Sequence, residues 1–124
     1  MREYRGKSGS SWQYGGIVKD GSGYAIAVNE CISTPNAMTV TMHKAIPGTV
    51  GQNTGIKDKN GIDIFEGDIV RFKFCGETRI ESVCFHDGSF KLGLCISLRR
   101  TIEPYKTKPE VIGNIHDNPE LLER

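Results

Sequence analysis

Apolar positions along this chain come in short runs that alternate with polar ones at a period of two, the spacing of half-buried strands. Trp12–Val18 leads into Asp20-Gly21-Ser22-Gly23, a cluster suited to a tight reversal, and Tyr24–Val28 returns as a second strand. Met38, Val40 and Met42 alternate with Thr39, Thr41 and His43 between Pro35 and Pro47, which predicts a strand with His43 on its more polar face. Over Ile69–Cys75, Val70, Phe72 and Phe74 alternate with Arg71 and Lys73, so the apolar set is expected inward and the two cations outward. Arg79–Phe85 and Ser89–Leu98 flank Asp87-Gly88 as a second hairpin. Its expected core face is Phe90, Leu92, Leu94, Ile96 and Leu98, each contributing about 1.5–3 kcal/mol when fully buried.

Asn60-Gly61, between Ile56-Lys57-Asp58-Lys59 and Ile62-Asp63-Ile64-Phe65, predicts a hairpin turn of type I′, whose two central residues need positive φ. Gly51, Gly55 and Gly61 read as turns between strands. Near the C-terminus Lys106–Pro109 reads as a loop and Val111–Ile115 as a last strand. Asn118 before Pro119 reads as an N-cap followed by proline at the first helical position, predicting one helical turn over Glu120–Glu123. The fold class is therefore mainly β.

Composition narrows the function more than the fold. The 124 residues suit one domain. Sixteen Lys and Arg against fifteen Asp and Glu leave a net charge of +1, so no whole-molecule field draws the protein to a phosphate backbone or an anionic membrane. Tyr24–Val28 and Leu92–Leu98 fall far short of the roughly 18–20 apolar residues that cross a bilayer. Met1–Ser11 is polar and charged with no apolar stretch behind it, so a cytoplasmic protein is expected. Cys31, Cys75, Cys84 and Cys95 contain no C-x-x-C pair and are expected as reduced thiols.

The residues that could carry chemistry mostly have plainer readings. Asp58, Asn60, Asp63 and Glu66 suggest calcium, but an EF-hand loop needs oxygen ligands at positions one, three and five and glycine at six; here Gly61 falls at four and Ile62 at five. Turn chemistry explains Asp58 and Asn60 instead. Glu66-Gly67-Asp68 is a carboxylate pair without a sequence neighbour to separate its pKa values into acid and base roles. His43, His86 and His116 are scattered, and a metal site from His86, Cys84 and Cys75 would require their strands to pair. No glycine pattern matches a phosphate loop. Catalytic residues, metal and cofactor are all expected to be absent. One binding surface remains: Arg71, Lys73, Arg79, Arg99 and Arg100 as a basic face for nucleic acid, interleaved with Glu77, Glu81, Glu103 and Glu110.

Three stretches, taken together, resemble the YopX family of phage and prophage proteins. The densest runs from Thr49 to Gly61 as Thr-Val-Gly-Gln-Asn-Thr-Gly-Ile-Lys-Asp-Lys-Asn-Gly and continues from Ile64 to Val70. The second is Arg5-Gly6-Lys7 with Trp12-Gln13-Tyr14-Gly15, and the third is Glu110–Ile115 leading to Asn118-Pro119-Glu120-Leu121-Leu122. Asn53 departs from the family, where that position is commonly aromatic. The resemblance implies a single domain with an N-terminal β region over 1–48, a hairpin or small sheet, and an SH3-like β-barrel over 49–124. It implies no enzyme. The expected role is that of a phage or prophage accessory protein acting through protein contacts, with self-association as one form of them.

Overall fold

The computed structural model describes residues 3–21, 23–31, 38–74, 76–86, 88–93, 96–97 and 109–122. Eleven strands lie among them: β1 (Tyr4–Ser8), β2 (Ser11–Asp20), β3 (Gly23–Cys31), β4 (Met38–Lys44), β5 (Gly51–Lys57), β6 (Asp63–Phe65), β7 (Asp68–Phe74), β8 (Glu77–His86), β9 (Ser89–Leu92), β10 (Ile96–Ser97) and β11 (Glu110–Asn114). A 3₁₀ turn, η1, covers Pro119–Leu122, one residue earlier than expected, and is closed by the Leu121 N–H donating to the Asn118 carbonyl at 3.1 Å. The strands form a six-stranded sheet in the order β4-β3-β2-β1-β5-β6 and a five-stranded sheet in the order β10-β9-β8-β7-β11. Every described strand pairing with a recorded register is antiparallel. The described strands of the second sheet make an open order and not the closed barrel the resemblance implies. Two compact units result, Met1–Asn53 and Thr54–Arg124, and the chain passes from one to the other inside β5.

In the first unit, β1–β4 are antiparallel neighbours in chain order; β1 and β2 reverse where Ser8 faces Ser11, and β2 and β3 where Asp20 faces Gly23. Strand β1 has no counterpart in the hydrophobic pattern. Its buried residues are the neighbours Arg5 and Gly6, which lie on opposite faces, so there is no apolar alternation to read. Arg5 is covered by the Trp12 ring, its guanidinium carbon 4.7 Å from the ring centroid, a cation–π contact across the β1–β2 hairpin. Strand β4 has the expected period but the opposite phase. Met42 is 49 % exposed, while His43 is half-buried and lies directly across from Ile26, which is fully buried.

In the second unit the core is Ile64, Val70, Phe72, Val83 and Leu92, with Ile56, Phe74, Phe90 and Val111 packed against it. Strand β7 matches expectation on its apolar face. It departs at Ile69, which shares the Arg71 face yet has no exposed surface. The run Ser89–Leu98 is not one strand. The chain leaves the ladder at Gly93, where φ is +66° and the N–H donates to Ser82 O at 3.0 Å, and β10 folds back so that Ile96 faces Leu92. Strict alternation is therefore a poor guide to strand length when a glycine interrupts it. Of the five expected core residues, Leu92 is buried and Phe90 half-buried; Leu94 and Leu98 lie outside the described residues.

Candidate functional site

Asp58, in the second unit, is 1 % exposed. Its Oδ1 accepts the N–H groups of Asn60 (2.8 Å) and Ile62 (2.9 Å), and its Oδ2 accepts the Val111 N–H at 3.1 Å. The backbone around it is equally engaged. Gly61 N–H donates to Asp58 O (3.0 Å), Asp58 N–H to Ile62 O (2.8 Å) and Lys59 N–H to Pro109 O (3.0 Å). The turn is thus framed by Asp58 and Gly61, with Lys59 and Asn60 in the centre and Gly61 at φ +79° behind them. This is the three-residue hairpin form and not the expected type I′ turn; the hairpin is displaced by one residue because Asp58 caps it with its side chain.

Burial pushes the Asp58 carboxyl up, but the Val111, Ile62 and Asn60 N–H groups and the nearby Lys59 charge outweigh it and hold the pKa below the ordinary value. Asp58 is therefore an anion held in place by backbone donors, with its lone pairs turned to the chain itself.

Thr54 and Asp68, also buried, behave the same way. Thr54 Oγ1 donates to Ile64 O at 2.7 Å and accepts the Ile56 N–H at 3.2 Å, joining β5 to β6. Thr54→Val keeps the shape and removes both bonds; it is expected to lower stability by about 1–3 kcal/mol in urea unfolding, because a buried carbonyl and a buried N–H lose a partner. Asp68 is 2 % exposed and its Oδ2 accepts the Phe65 N–H at 2.8 Å, bracing the Glu66-Gly67 turn. That role turns Asp68 back into its own turn and separates it from the paired-carboxylate arrangement considered for Glu66 and Asp68.

The third stretch is also turn chemistry. Asn114 Oδ1 accepts the N–H groups of His116 (3.0 Å) and Asp117 (2.9 Å), while Asn118 Oδ1 accepts the Asn114 N–H at 3.3 Å. A β-bulge between Val111 and Gly113 sets this register against β7, and η1 lies against β8.

The three described cations of the proposed set, Arg71, Lys73 and Arg79, are not assembled on one face. Arg71 and Lys73 are exposed on one side of β7, across from Ile80 and Thr78. Arg79 faces Phe72 and so projects from the core side of the sheet, where its guanidinium lies 3.9 Å from Glu81. Arg71 is paired with Glu110, which also takes Lys59 at 3.2 Å. Lys59 and Arg71 draw the Glu110 carboxyl below its usual range against a small opposing effect of burial. These pairs are solvent-exposed and hold little stability. Arg99 and Arg100 lie outside the described residues.

Among the described residues no three His, Cys, Asp or Glu side chains converge as a metal site. Cys84 is half-buried with its thiol 2.9 Å from Gly93 O; burial, then the Glu66 charge, push its pKa up despite Lys91, which keeps it from being a ready nucleophile. Cys75 is not among the described residues. No described helix is long and apolar enough to cross a membrane.

A preformed cavity does exist in the first unit. About 340 Å³ in volume, it is lined by Gly23, Tyr24, Lys44, Ala45, Ile46, Pro47, Gly48 and Val50. Sequence pattern gave no sign of it, since its walls come from the ends of β3 and β4 and from a turn whose residues read only as punctuation.

The family profile described as YopX protein matches residues 3–123. The chain belongs to the YopX family. No curated protein matches this YopX chain. A solved relative, protein EF1440 from Enterococcus faecalis, is 27 % identical, with a TM-score of 0.68 and 99 % of each chain covered. Two of the YopX stretches, the one from Thr49 to Val70 and the one near the C-terminus, thus contain residues whose polar groups organise turns.

Proposed function

We propose that this YopX protein is a non-enzymatic accessory protein of a bacteriophage or prophage that acts through protein–protein contacts, self-association among them. The observation that carries this reading is the engagement of Thr49, Thr54, Asp58 and Asp68 with backbone groups, which gives these buried polar residues of the densest family stretch a part in holding the fold. The second unit is read here as an SH3-like module whose described strands stay open. In-cell crosslinking of the tagged chain, followed by mass spectrometry, should give one or a few partners that a Gly15→Ala unfolding control loses. Light scattering after size exclusion decides the homo-oligomer form. Loss of all specific crosslinks, with a monomer at high concentration, would count against the reading.

Nucleic-acid binding through Arg71, Lys73, Arg79, Arg99 and Arg100 has weaker support, because Arg71 is neutralised by Glu110 and Arg79 projects from the other face. A low-salt gel shift is expected to show no retention that Arg71→Ala with Lys73→Ala abolishes.

A further inference from the structure

We infer that the outer edge of β4 is a self-association surface, on which β4 of a second copy of this chain pairs antiparallel about a two-fold axis through Thr41. The inference rests on the protein-contact reading and gives its self-association a place and a register.

An unprotected sheet edge is a template for another strand, and folded chains blunt such edges with short strands, bulges or charge. Among the described residues the two sheets end in β4, β6, β10 and β11. Strand β6 is three residues long and β10 two, while β11 begins at the charged Glu110 and carries a bulge between Val111 and Gly113. Strand β4 has none of these devices. It runs for seven residues, Met38–Lys44, in unbroken register with β3, and it holds no proline.

The phase of the β3–β4 ladder fixes which backbone groups this edge offers. Ala45 N–H donates to Tyr24 O at 3.0 Å, and these two residues continue the register in which Lys44 faces Ala25. Hydrogen-bonded pairs alternate with non-bonded ones along an antiparallel ladder. Thr39, Thr41 and His43 therefore bond inward to β3, and the N–H and C=O groups of Met38, Val40, Met42 and Lys44 point away from it. Two such edges fit in one full-length register. With Thr41 opposite Thr41 of the second copy, Val40 faces Met42 and Met38 faces Lys44, so all four outward residues take hydrogen-bonded positions. The contact is isologous, as a two-fold requires.

Surface and charge agree with a copy as the occupant. Met42 is 49 % exposed, and the residues beside it in the same cross-strand row, Ala27 and Gly16, are small, with open space over Gly16. Val40 of the second copy supplies an apolar neighbour on the outer side of that row. The formal charge of the strand is Lys44, at its last position. Antiparallel pairing sets the two copies of Lys44 about 20 Å apart, beyond a screening length of about 8 Å, and a net charge of +1 adds little repulsion. One strand from each copy makes an interface below the standard size, so the dimer is expected to be weak and concentration-dependent.

Sedimentation velocity of the full-length chain, from micromolar to millimolar concentration, should show a monomer–dimer equilibrium. Val40→Lys with Met42→Lys sets like charges opposite each other twice and should raise the dissociation constant about tenfold or more. Val40→Lys with Met42→Glu makes the same two pairs opposite in sign and should dimerise at least threefold more tightly than the double-lysine variant. Thr41→Cys should oxidise to a disulfide-linked dimer, since non-hydrogen-bonded pairs bring Cα atoms to about 4.5 Å; Met42→Cys, two positions out of register with its own copy, should stay at the parent's thiol background. A monomer throughout the range, equal association of the two double variants, or equal crosslinking of the two cysteine variants overturns the inference. In-cell crosslinks to other proteins that persist in the double-lysine variant would leave the protein-contact reading standing in that case.

Discussion

Replacing Gly15 with alanine is expected to unfold the first unit or leave it severely destabilised, by about 4 kcal/mol or more. A Cβ at this position would stand 2.1 Å from the Ala27 carbonyl oxygen and 3.1 Å from its carbonyl carbon. The obstacle is backbone, and that backbone belongs to the β2–β3 ladder, where Gly16 pairs with Ala27. No rotamer change relieves the clash, so the ladder must open, and the buried Ile26 beside Ala27 would lose its cover. Gly16→Ala is the matched control, since a Cβ there meets nothing within 4 Å. Thermal unfolding followed by near-ultraviolet circular dichroism of Trp12 should show a large loss for Gly15→Ala and a small one for Gly16→Ala. Similar behaviour of the two would mean that the close approach at Gly15 is relieved without cost.

The contrast between these two glycines shows what a single sequence can carry. Both are the same residue in the same run, and only the path of β3 distinguishes them. Period-two alternation was legible at β7, where Val70 and Phe72 are buried and Arg71 and Lys73 exposed. It was illegible at β1, whose buried residues are the neighbours Arg5 and Gly6, and it misleads at β4, because alternation fixes a period and leaves the choice of face to the neighbouring strand. The site followed the same logic. Asp58 reads as a turn residue from its place before Asn60-Gly61, and that reading is correct as far as it goes. Its bond to Val111 spans 53 positions and depends on where β11 returns. The pocket beside Tyr24 and Ile46 was invisible because cavities arise from element ends brought together by the fold, which no local pattern encodes.

Asp58→Asn is expected to cost about 3 kcal/mol at neutral pH, although it changes one atom. The carboxylate accepts three N–H groups, two on Oδ1 and one on Oδ2. An asparagine amide can keep the Oδ1 pair or the Val111 bond but not both, since its nitrogen would point a donor at a donor. One or two buried N–H groups then lack an acceptor, at about 1–3 kcal/mol each, and the favourable interaction of the anion with Lys59 is lost. The pH dependence identifies the cause. The Asp58 pKa is lowered in the folded chain, so its ionised form contributes stability that is present above the unfolded value, about 3.9, and is lost as pH falls through the folded value. The stability difference between the parent and Asp58→Asn should therefore be constant from pH 7 to about pH 5 and shrink on further acidification. Equilibrium urea unfolding at several pH values measures it. A difference that stays constant down to pH 2 would assign the loss to packing, and the anion would not be what ties the 58–62 hairpin to β11.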